Sequence, residues 1–147
     1  MSSWAVSAGD LSERHRVELT LPARPELLFL VRMTAAAVAS RADFGYDQIE
    51  DLRLAIDELA LAMTGDGGGP GRLQLLFSWA GDSVEVVGLY QPDDGEPRRG
   101  DLVVAQPENE LSARILDALV DEHGRDVVDG CPRVWLRMRR SAGRQAT

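Results

Sequence analysis

The residues best equipped for chemistry lie in one stretch, Ile49 to Gly71, "IEDLRLAIDELALAMTGDGGGPG", which sets acids on an apolar helix and then runs into glycines. At about 100° per residue, Ile49, Leu52, Ile56, Leu59 and Met63 form one stripe, as a core face does. Leu54 and Leu61 lie nearly opposite, with Ala55 and Ala62 on the side between, so the helix is apolar on two faces. Glu58 projects among Leu54, Leu61 and Ala62. A partly desolvated carboxylate there could act as general base toward a substrate hydroxyl. The competing possibility is that Glu58 sits at a helix boundary, reaching water with no chemistry to do. Glu50, Asp51 and Asp57 are expected to be solvated. The glycines of "GDGGGPG" are not a phosphate loop, because they lack a Gly-Lys-Ser/Thr ending and follow a helix instead of opening one. They are expected to link helix to strand.

Other chemistries are excluded by what the chain lacks. All sixteen basic residues are arginine, so no lysine exists for a Walker-type phosphate site, a Schiff base or a kinase of the eukaryotic kind. Phosphate would have to be held by backbone amides, metal or arginine. Cys131 is the single cysteine, which excludes an internal disulfide, and with only His15 and His123 besides there is no zinc-site spacing. A net charge of −8 opposes general nucleic-acid binding and favours a protein partner. Arg133, Arg137, Arg139 and Arg140 are the one candidate nucleic-acid patch, but three of them alternate with apolar residues, as on the solvated face of a strand. The apolar runs "LLFLV" and "LALAM" are far shorter than the roughly 20 residues of a spanning helix. The N-terminus lacks the basic start of a signal peptide. A cytoplasmic protein without membrane contact is expected.

The elements that must position Glu58 follow from periodicity. In "RVELTL", Val17, Leu19 and Leu21 alternate with Arg16, Glu18 and Thr20, predicting a half-buried strand that Pro22 ends. Pro25 suits the first turn of a helix carrying Leu27, Leu30, Val31, Thr34 and Val38, which ends near "DFGY" with Gly45 as the break. The helix of Glu58 then runs from about Asp47 to Thr64. Leu73, Leu75, Phe77 and Trp79 alternate, Gly81-Asp82 turns, and Val84 and Val86 alternate again, predicting a β-hairpin. The stretch "DDGEPRRGDLVVAQPENE" is loop-like. A third helix, "ELSARILDALVDEHG", is expected to place Leu111, Ile115, Leu119 and Val120 on one face and to close at Gly124. A final strand, "CPRVWLRMRR", faces the core with Val134, Leu136 and Met138. At 147 residues and 44% hydrophobic the chain fits one domain with its own core. The domain is expected over residues 14–141, between flexible termini 1–13 and 142–147. The order is α+β: one mixed, mostly antiparallel sheet with about three helices layered on one face.

The segment "RVELTLPARPELLFLVRMTAAAVASRADFGYDQIEDLRLAIDELA" resembles the N-terminal half of the anti-sigma-factor serine kinases, the RsbW-like branch of the GHKL (histidine-kinase and Hsp90-type) ATPases. The likeness rests on "PARPE" before the first helix, "VRMT" within it and "YDQIEDLRLAIDE" leading to the acid. "LSARILDALVDE" also resembles the helix after the family's second glycine box, so the resemblance spans Arg16 to Arg139. It implies a two-layer α/β sandwich of the Bergerat type and a homodimer. It also implies capture of an alternative sigma factor and phosphorylation of an anti-anti-sigma partner of the STAS type on serine or threonine.

Carried over residue by residue, the resemblance makes Glu58 the general base. The family's magnesium-holding asparagine falls at Ala62, which has no oxygen to offer a hard cation. The adenine-reading Asp-x-Gly falls at Asp93 and Gly95, which also suit an ordinary turn. The glycine box that should free backbone amides for phosphate reads "ENELSA", with Glu110 and Ser112 at the glycine positions. Arg32, in "VRMT", is where the family presents an arginine to the sigma factor, as a bidentate donor suits. An ordinary solvated arginine is the alternative there. Three functional readings remain. The first is an anti-sigma factor that works by binding, with a vestigial base and no cofactor. The second is an active kinase using ATP and magnesium in a non-standard way, and the third is nucleic-acid contact by the C-terminal arginines.

Overall fold

The structure, a computed structural model, describes residues 14–64, 71–93 and 107–141. The linker glycines before Gly71, Gly95 and the termini 1–13 and 142–147 lie outside the described residues. In chain order the elements are β1 (His15–Pro22), a 3-10 turn (Pro25–Leu27), α1 (Leu28–Arg41), α2 (Tyr46–Thr64), β2 (Gly71–Ala80), β3 (Ser83–Pro92), α3 (Pro107–Leu119), β4 (Glu122–Val128) and β5 (Cys131–Arg139). The strands form one sheet in the order β1-β2-β3-β5-β4. Every pairing among the described residues is antiparallel, so the parallel component allowed by a mixed sheet is not seen there. Among the described residues no helix is long and apolar enough to cross a membrane.

Alternation along the strands builds the core. Leu73, Leu75 and Phe77 of β2, Val84, Val86 and Tyr90 of β3, and Val134, Leu136 and Met138 of β5 are buried in one cluster with residues of all three helices. Tight turns set the register. Gly81-Asp82 joins Ala80 to its partner Ser83, with Gly81 at φ 57°, where the sequence places the turn.

Several local expectations are corrected, two of them around α1. The break after α1 is made by Asp43, not Gly45. Asp43 sits at φ 65°, its N–H donates to the Ser40 carbonyl, and the N–H of Phe44 donates to the Ala39 carbonyl, both at 3.0 Å. This is a Schellman ending with aspartate in the left-handed position, and buried Phe44 seals it. Gly45 instead starts α2, its carbonyl accepting from the N–H of Ile49. On α1 the buried residues are Val31, Ala35, Val38 and Ala39, whereas Leu30 is exposed.

The remaining corrections concern the C-terminal third. α3 ends at Leu119, and Gly124 lies within β4, paired with Trp135. The signal for this is "VVDGCP": Asp129 and Gly130 take φ 53° and 79°, a two-residue hairpin turn between Val128 and Cys131. The buried stripe along and just beyond α3 is Ser112, Leu116 and Val120, while Leu111 is 61% exposed.

Gly124 therefore has a packing role in a strand. A Cβ there would lie 2.6 to 2.9 Å from the indole of Trp135, whereas one at Gly45 would meet nothing within 4 Å. Gly124→Ala is expected to lower stability by about 1–3 kcal/mol through overpacking, and Gly45→Ala to leave it nearly unchanged. Urea unfolding of both variants checks the pair.

Candidate functional site

α2 packs on several sides, and that fixes where Glu58 points. Leu52, Ala55, Ile56, Leu59, Ala60 and Met63 are all buried. Leu54 and Leu61, on the second apolar stripe, are 55% and 53% exposed. Glu58 is half-buried and meets α3. It does not stand at a helix boundary, because α2 continues to Thr64.

The Ser112 hydroxyl donates a hydrogen bond to Glu58 Oε1 at 2.7 Å. Ser112 is 9% exposed and opens the buried stripe of α3. A hydroxyl so placed needs an acceptor, and Glu58 supplies one from a distant part of the chain. Ala62, one turn beyond Glu58, is half-buried and presents only a methyl group. Glu110 is exposed on α3.

Among the described residues, Ala62 and Ser112 depart from what the resemblance calls for around a magnesium-bound nucleotide. The oxygen of Glu58 that faces α3 is already bound to a hydroxyl, and Ala62 cannot coordinate. A buried, bonded serine stands where the resemblance calls for bare backbone. No three His, Cys, Asp or Glu side chains among the described residues converge to hold a metal ion. Asp93 is exposed just beyond the end of β3, and its companion Gly95 lies outside the described residues.

Arg32 is not an unengaged surface side chain. Its Nη1 meets Asp57 Oδ1 at 3.0 Å, with the two side chains 35% and 43% exposed, so the pair ties α1 to α2 while staying open to water. Asp57, expected to be simply solvated, thus has a partner that lies 25 residues away and out of reach of any periodicity. Ser112 escapes sequence reasoning as a partner of Glu58 for the same reason. The available signal is its place at the head of a stripe that continues with Leu116 and Val120.

The C-terminal arginines are largely engaged within the fold. Arg133 grips Asp126 with two hydrogen bonds, at 2.9 and 2.7 Å, and this contact holds its guanidinium above the usual arginine range. Arg137 bridges Glu85 at 3.0 Å and Glu122 at 3.1 Å, and Arg140 donates to the Ala42 carbonyl at 2.9 Å. Carboxylates thus interleave with the arginines on this sheet face and offset the positive field that nucleic acid would need. Burial and the nearby Asp129 push the Cys131 thiol up, away from the reactive thiolate form.

No protein-family model matches the chain. Individual proteins do. The chain is 31% identical over 119 residues to the serine-protein kinase RsbW of Bacillus velezensis, covering 72% of this chain and 74% of that protein. It is 29% identical over 119 residues to the protein of the same name from Bacillus subtilis, with the same coverage. A shorter match, 44% identical over 43 residues, links it to RsbW of Bacillus cereus and covers 29% of this chain and 27% of that protein. With that identity sustained over most of both chains, and with helices layered on an antiparallel sheet as the motifs implied, the chain belongs to the RsbW serine-protein kinase family.

Proposed function

We propose that this protein is an anti-sigma factor that regulates transcription by sequestering an alternative sigma factor, without a working nucleotide site. The observation that carries this reading is the Ser112–Glu58 hydrogen bond, with Ala62 one turn along α2. One oxygen of the group that would accept a proton already takes an internal hydroxyl, and the expected metal ligand is a methyl. Residues 14–141 are the functional domain, acting as a homodimer in the cytoplasm. Arg32 presents its guanidinium to the sigma factor while Asp57 fixes its direction. An anti-anti-sigma protein of the STAS type is the competing ligand that would release the sigma factor.

A second reading is supported by the retention of Glu58 and by the kinase name of the relatives. In it the protein phosphorylates the STAS partner on serine or threonine, with Glu58 as base, Asp93 and Gly95 toward the adenine, and magnesium held by a ligand other than residue 62. The two readings separate on nucleotide. A bound ligand at a hundredfold excess over its Kd stabilises a protein by about 2.7 kcal/mol, enough to raise the melting temperature measurably. We expect no shift with ATP and magnesium, and no transfer of labelled phosphate to a STAS protein. A magnesium-dependent shift together with phosphoserine formation would establish the kinase.

Arg32 offers a test of the binding surface. In run-off transcription directed by the target sigma factor, the chain is expected to inhibit without added nucleotide. Arg32→Ala should weaken that inhibition about tenfold or more, as loss of a hydrogen bond to a charged group does. Its melting temperature should barely change, because an exposed ion pair contributes under about 1 kcal/mol. Unaltered inhibition by Arg32→Ala would remove Arg32 from the interface.

A further inference from the structure

The contact between α2 and α3 has a polar member with a place in the packing. Ser112, Leu116 and Val120 recur at helical spacing and form one buried stripe. Leu116 and Val120 contribute apolar area, which tolerates sliding. Ser112 contributes a directed bond, and its Oγ stands 2.7 Å from Glu58 Oε1. A buried polar pair of this kind selects one register among several apolar alternatives. In a helix held by a nucleotide, the first turn would be fixed by phosphate on glycine amides. Here the positions that would be glycine are Glu110 and Ser112, both already inside α3, which begins at Pro107, and the second is bonded directly to α2.

We infer that the Ser112–Glu58 hydrogen bond is an intrachain latch that seats α3 on α2 without nucleotide. Glu58 then serves as a positioning carboxylate for α3, and the arrangement of the two helices is constitutive instead of ligand-gated. This rests on the absence of a working nucleotide site in the proposed function but not on sigma binding, since the Ser112–Glu58 bond is made within the isolated chain.

Hydrogen exchange of the amides of residues 112–119, measured on the purified full chain, tests it. Ser112→Ala and Glu58→Ala should each accelerate exchange, on the order of five- to tenfold, and the double variant should be no faster than either single one. Glu58→Gln should exchange near the wild-type rate, because its amide oxygen still accepts the serine hydroxyl although it is no longer a base. Saturating ATP with magnesium should leave the wild-type pattern unchanged. The inference is overturned if Glu58→Gln behaves like Glu58→Ala, if the two single effects add, or if nucleotide slows exchange in the wild type. Should an alanine variant fail to fold, Glu58→Gln and the nucleotide arm still decide. No sigma factor enters the measurement, so failure of the sigma-binding reading would show separately.

Discussion

Burial of α2 is the constraint on which the other elements depend: Leu52, Ile56, Leu59 and Met63 pack into the common core, and the small Ala55 and Ala60 are buried beside them. Each large apolar side chain so buried contributes about 1.5–3 kcal/mol, so α2 cannot rotate about its axis without losing several at once. Met63 sharpens this constraint. Its sulfur lies 2.7 Å from where a Cβ on Gly88 would be, so the end of α2 sits directly on the middle strand. With the helix so fixed, a residue at position 58 must point toward α3. The direction of Glu58 follows from the core and requires no bound ligand.

The core of α2 and the positions that the resemblance assigns to the site are different residues. The residues that hold α2 in place are apolar and buried in the core, whereas the positions that the resemblance assigns to magnesium and phosphate are Ala62, Glu110 and Ser112. Ala62 and Glu110 can change without disturbing the core stripe, whereas Ser112 is itself buried and bonded to Glu58. Here the core stripe is intact, and the site positions carry a methyl, an exposed acid and a buried hydroxyl. Charge follows the same division. The arginines of β5 meet carboxylates from β3 and β4, so this face of the sheet is neutralised by pairs across adjacent strands.

Most of the fold was legible because its signals are local. The stripe of α2, the alternation of β2, β3 and β5, and the Gly81-Asp82 turn all depend on spacings of a few residues. Where expectation fails, another local rule has priority. Glycine tolerates the left-handed region most easily, which points to Gly45 as the helix stop, but Asp43 adopts that conformation with Phe44 as the seal. Gly124 draws the third helix too far, although Asp129-Gly130 marks a hairpin whose first strand must contain it. The site is less legible for a different reason. Glu58 can be placed on a face, and Ala62 and Ser112 can be recognised as departures from a pattern. That Ser112 reaches Glu58 is a fact of tertiary packing between segments that no periodicity connects.

Partner capture, on this account, does not use nucleotide. The most direct test is an equilibrium titration of the purified chain with the sigma factors of its host genome, run with and without ATP and magnesium. We predict that one sigma factor binds and that its Kd is the same in both conditions. Failure of every sigma factor to bind, or binding only when ATP and magnesium are present, would contradict the account.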